Sequence, residues 1–298
     1  MGVPLLGVTV VLSLVLSACS VQSEDAAPHA LQANLNEILQ PDPIIDSARN
    51  RLISVCLNAA GFDVPEPAPA QGFPGSRFNV VGLLGLMGTP DEAAAMGYRG
   101  TVKDEMQPAF DEFAKQFPPE SQELYGAARF GASTAPQITA KMQNGAVASV
   151  SGEGCHAEAE GELFGSPKTS LDVTVMTNDV LMLANNETVA DALADAQVDY
   201  RRCMAGRGVE VPAGDTNAEK IAVTRNGVYR DPGVSPNSAE RELARVDATC
   251  QIAADIDVRS QDAFFTSSAD WIRTNSESIE SLAAATRAAE VRAREIVG

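Results

Sequence analysis

Cysteines are the side chains of this sequence with the most definite chemistry, and two of them lie in stretches that repeat. Cys56 and Cys203 are each followed by Gly five residues later, an acidic residue seven later, and Val-Pro at eight and nine. Each stretch predicts the last turns of a helix, a glycine that ends it, and an extended exit. The repeat indicates an imperfectly duplicated unit.

One later cysteine follows each copy, Cys155 after the first and Cys250 after the second. Thiols form disulfides or bind metal, but the sequence has no Cys-x-x-Cys pair and no Cys/His cluster, so we expect disulfides and no metal site. Four cysteines allow three pairings. The repeat favours Cys56–Cys155 with Cys203–Cys250. The crossed pairing, Cys56–Cys203 with Cys155–Cys250, would instead set the two cysteine-bearing helices side by side.

The remaining cysteine, Cys19, ends an apolar segment. Residues 1–18 carry no charged side chain, and they are shorter than the roughly 20 residues that a spanning helix needs, so they predict a cleaved signal peptide. Leu-Ser-Ala-Cys resembles the bacterial lipobox, although no Lys or Arg precedes the apolar run. The resemblance implies that Cys19 becomes an acylated (diacylglyceryl and palmitate) N-terminus on the extracytoplasmic face of the cell membrane. The alternative is a buried first helix with an incidental cysteine.

Acidic residues outnumber basic ones, 40 against 22, for a net charge of −18. This balance excludes nucleic acid and anionic lipid surfaces as electrostatic partners. Hydrophobic residues make up 45% of the chain, which suits one large or two small domains. Because aromatic residues are only 5%, we expect a core built mainly from Ala, Leu and Val.

Apolar spacing predicts a mainly α protein with minor β structure, in which each half is held by its own disulfide. Residues 19–43, polar and with three prolines, predict a tether that lifts the body off the membrane. Residues 44–166 predict the first unit. Its expected elements are a long helix carrying Cys56, a helix opened by the Thr89–Glu92 capping box, short helices over 108–116 and 120–130, and a β-hairpin over 138–150 with a type I′ turn at Asn144-Gly145.

Residues 167–298 predict the second unit, which is helical and has no hairpin. Its expected helices cover 170–184, 189–205, a segment from the Thr216–Glu219 capping box to Gly227, a segment opened by Ser235-Pro236, and 261–297. The last is a long amphipathic helix bent near Asn275.

Several of these motifs resemble a widespread group of actinobacterial lipoproteins. The likeness rests on Cys203-Met-x-x-x-Gly, on Glu242-x-Ala-x-x-Asp247-x-x-Cys250, on Gly154-Cys-x-Ala-Glu-Ala-x-x-x-Leu-Phe-Gly165 after a hairpin, and on the long terminal helix. It spans roughly residues 50–297, and members often carry Trp where this chain has Tyr200. Since that group has no established activity, the resemblance implies a cell-envelope address and a helical plan, and no mechanism.

Few groups are suited to catalysis. A Gly-x-Ser-x-Gly elbow and a phosphate-binding glycine loop are both absent from the sequence, so we assign no catalytic residue and no cofactor. His29 falls in the predicted tether, and His156 is expected to be a plain surface histidine. Glu242 and Asp247, which belong to the lipoprotein-like motif, and Trp271 are the candidates for a functional surface. Their alternatives are local hydrogen bonds for the two acids and a core position for the tryptophan.

We therefore expect a lipid-anchored, non-catalytic envelope protein that binds a partner protein, a cell-wall component or a small ligand. The alternative is a carboxylate-dependent hydrolase of cell-wall glycans, which would need two carboxyl groups about 5–10 Å apart in a sugar-sized cleft.

Overall fold

The computed structural model describes residues 26–65, 80–83, 85–98, 113–226 and 234–298, with side chains for all of these except 26–29 and 225–226. Within those ranges the chain is mainly helical with one hairpin, which confirms the predicted fold class. The helices are α1 (Ala26–Leu39), α2 (Ile44–Ala59), α3 (Pro90–Met96), α4 (Pro119–Phe130), α5 (Cys155–Phe164), α6 (Pro167–Ala184), α7 (Glu187–Gly206), α8 (Glu219–Asn226), α9 (Ser238–Ala253), α10 (Ile256–Ser267), α11 (Ala269–Thr274) and α12 (Ser276–Val297). The strands are β1 (Gln137–Lys141) and β2 (Val147–Ser151), which pair antiparallel.

Both copies of the repeated stretch end their helix in the same way. In each, the glycine N–H donates to the carbonyl three residues back, and the next N–H donates to the carbonyl five residues back. The two glycines, Gly61 and Gly208, have φ angles of 92° and 77°. This arrangement is the Schellman motif, which requires a left-handed residue after the helix. The valines of the exit, Val64 and Val211, then enter the core.

Disulfides join each copy to its own later cysteine. Cys56 pairs with Cys155, and Cys203 pairs with Cys250, each with Cα atoms 5.5 Å apart. The within-copy pairing that the repeat favoured is therefore confirmed. The first disulfide joins the last turn of α2 to the start of α5, and the second joins α7 to α9.

The two halves are interleaved rather than separate. The segment 83–98 lies in the first predicted unit, yet its buried residues Leu83, Met87 and Tyr98 belong to the core around α7 and α9. In the other direction, α12 packs against α2 and α5. The close approach of α3 to α9 is possible because Ala244 and Ala248 of α9 are small and fully buried. The predicted boundary at residue 166 therefore does not divide the core.

The tether prediction is wrong for residues 26–39, which form α1 and include His29. Leu35, Ile38 and Leu39 are buried against α6, α10 and α12. Leu31, Leu35 and Ile38 follow a helical spacing, but the prolines around this segment made it look like an extended linker. The rest of the N-terminal prediction, residues 1–25 with Cys19, lies outside the described residues.

Local motifs mostly form as predicted, with shifts of a few residues. The Thr89–Glu92 capping box is present and opens α3. Helix α9 is capped by Asn237 rather than Ser235, and α8 begins only at Glu219, whose N–H bonds to the Asn217 side chain. The C-terminal helix is divided into α10, α11 and α12, with breaks at Ser268 and Asn275. The predicted helix over 108–116 is described only from residue 113, and Gly227 lies outside the described residues.

The hairpin lies where the sequence predicted it, but its turn is different. The Met142 N–H donates to the Ala146 carbonyl, and the Gly145 N–H donates back to the Met142 carbonyl. Gly145 has a φ of 86°, whereas Asn144 does not have the positive φ that a type I′ turn needs. The loop therefore has three residues, 143–145, and the last of them is a glycine in the left-handed backbone conformation.

Candidate functional site

A cavity of about 670 Å³ opens where α1, the start of α3 and the α9–α10 junction meet. Small-molecule sites usually fall between roughly 300 and 1,000 Å³. The lining residues come from segments far apart in the sequence: Asn36, Glu37, Gln40, Leu86, Gly88, Thr89, Glu92, Gln251, Ile252, Asp255, Ile256, Asp257, Val258 and Gln261. We call this cavity the α1–α10 pocket.

Three local structures shape the walls of the α1–α10 pocket. On α1, Asn36, Glu37 and Gln40 have the spacing of one helix face. The capping box at Thr89 fixes the entry of the chain into α3. At the third wall, Asp255 separates α9 from α10 with a φ of 52°, a left-handed conformation that Asp adopts more readily than most residues.

Every ionisable side chain in this lining is acidic. The acids are Glu37, Glu92, Asp255 and Asp257, and they are joined by four amides and by apolar side chains such as Ile252 and Val258. Some acids already have partners: Arg287 donates to Glu37, and the Glu92 carboxylate accepts the Thr89 N–H at 3.0 Å. The lining therefore combines negative charge, hydrogen-bond acceptors and apolar surface.

One acceptor in the lining lacks a partner. The Asn36 Oδ1 atom is buried and receives no hydrogen bond, although a buried polar atom without a partner costs about 1–3 kcal/mol. Asn36 itself lies on the α1 wall of the pocket. Because this oxygen is shielded from solvent, it belongs to the packing around α1 rather than to the open face of the pocket.

Behind the pocket, α9 carries a fully buried polar network. The Asp247 carboxylate accepts hydrogen bonds from the Tyr98 hydroxyl at 2.8 Å, the Tyr200 hydroxyl at 2.8 Å and the Ala218 N–H at 2.6 Å. Gln251 is one turn further along α9, and its side-chain amide lowers the pKa of the Asp247 carboxyl. These bonds tie α9 to α7 and to the segments before α8 and after α3.

Gln251 connects this network to the pocket. Its amide donates to the Gly85 and Thr216 carbonyls, both at 2.9 Å, and accepts the Met87 N–H at 2.9 Å. The same residue lines the pocket. Gln251 therefore holds the backbone of residues 85–87, which leads into α3 at the wall of the pocket.

Burial changes the acid–base behaviour of the network. It raises the pKa of the Asp247 carboxyl to about 6, because desolvation outweighs the hydrogen bonds from Ala218, Tyr200 and Tyr98 that favour the ionised form. Burial and the neighbouring carboxylate also raise the pKa of the Tyr98 and Tyr200 hydroxyls well above their usual range. Both tyrosines therefore act as hydrogen-bond donors at any physiological pH.

The three residues predicted as a functional surface do not lie together. Asp247 is fully buried, so its predicted surface position is wrong; it faces the core because it belongs to the inner face of α9. Glu242 lies on the exposed side of the same helix, 3.4 Å from Arg245, as its local alternative anticipated. Trp271 is half-buried and packs against the core shared by α1, α6 and α12.

His156 lies in the first half, away from the lining of the pocket. Its Nε2 is 3.9 Å from Glu160 Oε1, and Glu160 also accepts a hydrogen bond from Arg49 at 2.6 Å. Burial lowers the pKa of His156 below its usual range, against the pull of Glu160. The histidine is therefore half-buried within a small polar cluster, rather than a plain surface residue.

Sequence reasoning did not find the pocket, because its walls come from three separate segments. The break in helical periodicity at Ala254-Asp255 is the one local signal that could have indicated its third wall. Among the described residues, no group of three or more His, Cys, Asp and Glu side chains is arranged to hold a metal ion. In the same part of the chain, all helices are too short or too polar to cross a membrane.

Comparison of the chain with protein-family models, with curated proteins and with solved structures gave no match.

Proposed function

We propose that this protein is a lipid-anchored binding protein of the extracytoplasmic face of the cell membrane, and that the α1–α10 pocket holds its ligand. The observation that carries the proposal is the pocket itself, which has the volume of a small-molecule site and a mixed polar and apolar lining. Its walls come from the N-terminal helix and from both disulfide-linked halves. A ligand there would therefore contact α1 and residues of both halves at the same time.

The proposed anchor would hold the pocket close to the membrane. Only residues 20–25 separate Cys19 from α1, and seven extended residues span at most about 25 Å. Since α1 packs against the body, an acyl chain on Cys19 would restrain the whole protein rather than a free tail. This proximity favours a ligand found at or near the membrane surface.

The binding role is tested by blocking the pocket. Val258 is 56% exposed on the pocket rim, so Val258→Trp adds bulk there without disturbing the core. Val291→Trp is the matched control, because Val291 is 54% exposed on α12 and lies outside the pocket lining. We expect a small-molecule fraction of the cell envelope to raise the melting temperature of the wild type and of Val291→Trp, but not of Val258→Trp. Equal shifts in all three proteins would exclude the pocket as the binding site.

Anchoring is tested separately by mass spectrometry of the membrane-extracted protein. We expect a chain that begins at Cys19 and carries acyl groups, and we expect Cys19→Ser to be released from the membrane fraction. A retained Met1 on the membrane-bound wild type would contradict the proposed anchor.

The alternative of a glycan hydrolase gains no specific support from the pocket. The carboxyl group whose pKa is raised into a range useful for proton transfer is Asp247. Its two oxygens are occupied by Tyr98, Tyr200 and Ala218 inside the core, so it is not presented to a substrate.

A further inference from the structure

We propose that the Cys56–Cys155 disulfide is redox-active: a dithiol reductant opens it while the protein stays folded and Cys203–Cys250 stays closed. The two disulfides begin in equivalent copies of the repeated stretch, and both have Cα atoms 5.5 Å apart. What differs between them is the position of the second cysteine in its helix. The α1–α10 pocket plays no part in this property, because its lining includes neither disulfide.

Cys56 is the sulfur of this bond that a reductant reaches. It lies in the last turn of α2 and is partly exposed, whereas Cys155 is only 2% exposed. Thiol–disulfide exchange begins when a thiolate attacks one sulfur of the bond and the other sulfur leaves. The exposure therefore makes Cys56 the sulfur that is attacked and Cys155 the one that leaves as a thiolate.

The leaving sulfur belongs to the first residue of α5, and a helix N-terminus stabilises negative charge. No side chain caps this helix, so its first N–H groups have no side-chain acceptor to give up. A thiolate on Cys155 would therefore lie at the positive end of α5. Since a sulfur that is stable as a thiolate leaves faster, this position favours the opening of the bond.

Cys203–Cys250 has the opposite surroundings. Cys203 lies in the last turn of α7 and Cys250 in the last turn of α9, where carbonyl groups face the helix end. Cys250 is 0% exposed and belongs to the core that contains Ala248 and Ile256. A thiolate there would lie in apolar surroundings near the negative end of a helix. This disulfide is therefore expected to resist reduction.

The dithiol form would keep α2 and α5 together through contacts that do not depend on the S–S bond. Ile53 and Leu57 of α2 share a buried core with Ala159 of α5. The Arg49 Nε of α2 also donates to Glu160 Oε1 of α5 at 2.6 Å. Opening the bond should therefore leave the two helices packed.

Glu158 affects both forms of the bond. Its Oε2 lies 3.4 Å from Cys56 Sγ. The disulfide sulfur has no proton to donate, but the thiol of a reduced Cys56 would find this acceptor already in place. The same carboxylate repels a thiolate that approaches Cys56, so it should slow the attack.

The exchange balances in atoms and electrons. A thiolate of the reductant bonds Cys56 Sγ, the S–S bond breaks, and its electron pair goes to Cys155 Sγ. The second thiol of the reductant, as a thiolate, then attacks the reductant's sulfur in this mixed disulfide and releases Cys56 as a thiolate. The two cysteines take up the two protons that the dithiol lost. The protein gains two electrons and two protons, and the dithiol leaves as a disulfide.

A titration in buffers with set ratios of reduced to oxidised dithiothreitol separates the two bonds. Acid quenching, unfolding, alkylation of free thiols and peptide mass spectrometry report each cysteine pair. We expect Cys56–Cys155 to be half-reduced at a ratio at least about tenfold lower than Cys203–Cys250, with unchanged far-ultraviolet circular dichroism at that point. Equal midpoints, the reverse order, or loss of helix when the first bond opens would overturn the proposal.

Glutathione, an anionic monothiol, tests which sulfur is attacked. The adduct should form on Cys56 and leave Cys155 free, and an adduct on Cys155 would contradict the proposed direction. Glu158→Gln should speed adduct formation about two- to fivefold, because one exposed charge no longer repels the thiolate. Glu123→Gln removes a charge from the exposed face of α4 and should leave the rate within about 1.5-fold. Equal rates in the two variants would exclude attack beside Glu158.

Discussion

Asp247 links three separate segments to α9 through one buried carboxylate. Hydrogen bonds to a charged group contribute about 1.5–3 kcal/mol each, but removing a carboxylate from water costs several kcal/mol. The pKa of about 6 shows that the cost of burial outweighs the bonds for the ionised form. The network therefore fixes the positions of Tyr98, Tyr200 and Ala218, but it adds little net stability to the fold at neutral pH.

This balance predicts a pH dependence of stability. The pKa of Asp247 is higher in the folded state than its ordinary value of 3.8, so the folded state binds the proton more tightly between these values. The protonated Asp247 carboxyl therefore stabilises the folded state at low pH, and this contribution is lost as the pH rises through about 6. We expect the Asp247 contribution to the unfolding free energy to be about 1 kcal/mol larger at pH 5 than at pH 7.

Urea unfolding of wild type and Asp247→Asn at the two pH values isolates this contribution. Asparagine can still accept the Ala218 N–H and donate to a tyrosine oxygen, but it does not titrate. The difference between pH 5 and pH 7 should therefore be about 1 kcal/mol smaller in Asp247→Asn. The same pH dependence in both proteins would show that Asp247 does not titrate in this range.

Among the elements, two glycines that end helices allow a test of how much a side chain would cost at each helix end. Gly208, in the Schellman motif after α7, has a φ of 77° and open space where a Cβ would be. Gly97, after α3, has a φ of 69°, but a Cβ there would collide with Glu240 Oε1. That oxygen accepts the Tyr98 N–H at 3.0 Å inside the core.

We expect Gly208→Ala to lower the unfolding free energy by about 1–2 kcal/mol, the cost of a left-handed non-glycine residue. Gly97→Ala should lower it by at least about 1 kcal/mol more, because the ψ of −150° at Gly97 is one that essentially only glycine adopts and because the Glu240 bond is displaced as well. Chemical denaturation of both variants measures the difference. Equal losses would mean that neither the backbone of Gly97 nor the displacement of Glu240 adds a cost.

The elements that the sequence predicted well are those set by local signals. The capping box at Thr89, the glycine ends after Cys56 and Cys203 and the position of the hairpin all depend on residues within a few positions of one another. The disulfide pairing, which joins cysteines 99 and 47 residues apart, was predicted from the repeat rather than from a local signal. Helix α1 was missed because its apolar seam is short and is surrounded by prolines.

The position of Asp247 and the pocket could not be predicted in this way. Both depend on the packing of α3 against α9 across about 150 residues of chain, and no local pattern encodes that contact. The motif drew attention to Asp247, but periodicity alone does not show whether an acid on a helix faces water or buried tyrosines.

For the molecule as a whole, α1 is the element through which the proposed anchor, the core and the pocket are connected. It buries Leu35, Ile38 and Leu39 among residues of α6, α10 and α12. It also supplies Asn36, Glu37 and Gln40 to the pocket. No disulfide holds it, since both disulfides join later elements. Its attachment therefore depends on this apolar contact and on surface ion pairs such as Glu37–Arg287, which contribute little.

We predict that Leu35→Ala combined with Ile38→Ala detaches α1 while the rest of the fold remains. Each truncation of a buried Leu or Ile costs about 2–5 kcal/mol. We expect the two together to exceed the free energy that holds α1 against the rest of the fold. Hydrogen exchange should then become rapid in α1 and stay slow in α7 and α9, which the Cys203–Cys250 disulfide joins. Leu124→Ala, at a leucine that is 65% exposed on α4, should leave the exchange of α1 unchanged. Unchanged exchange of α1 in the double variant would mean that residues 26–39 are not docked, and faster exchange throughout would mean that α1 is an inseparable part of the core.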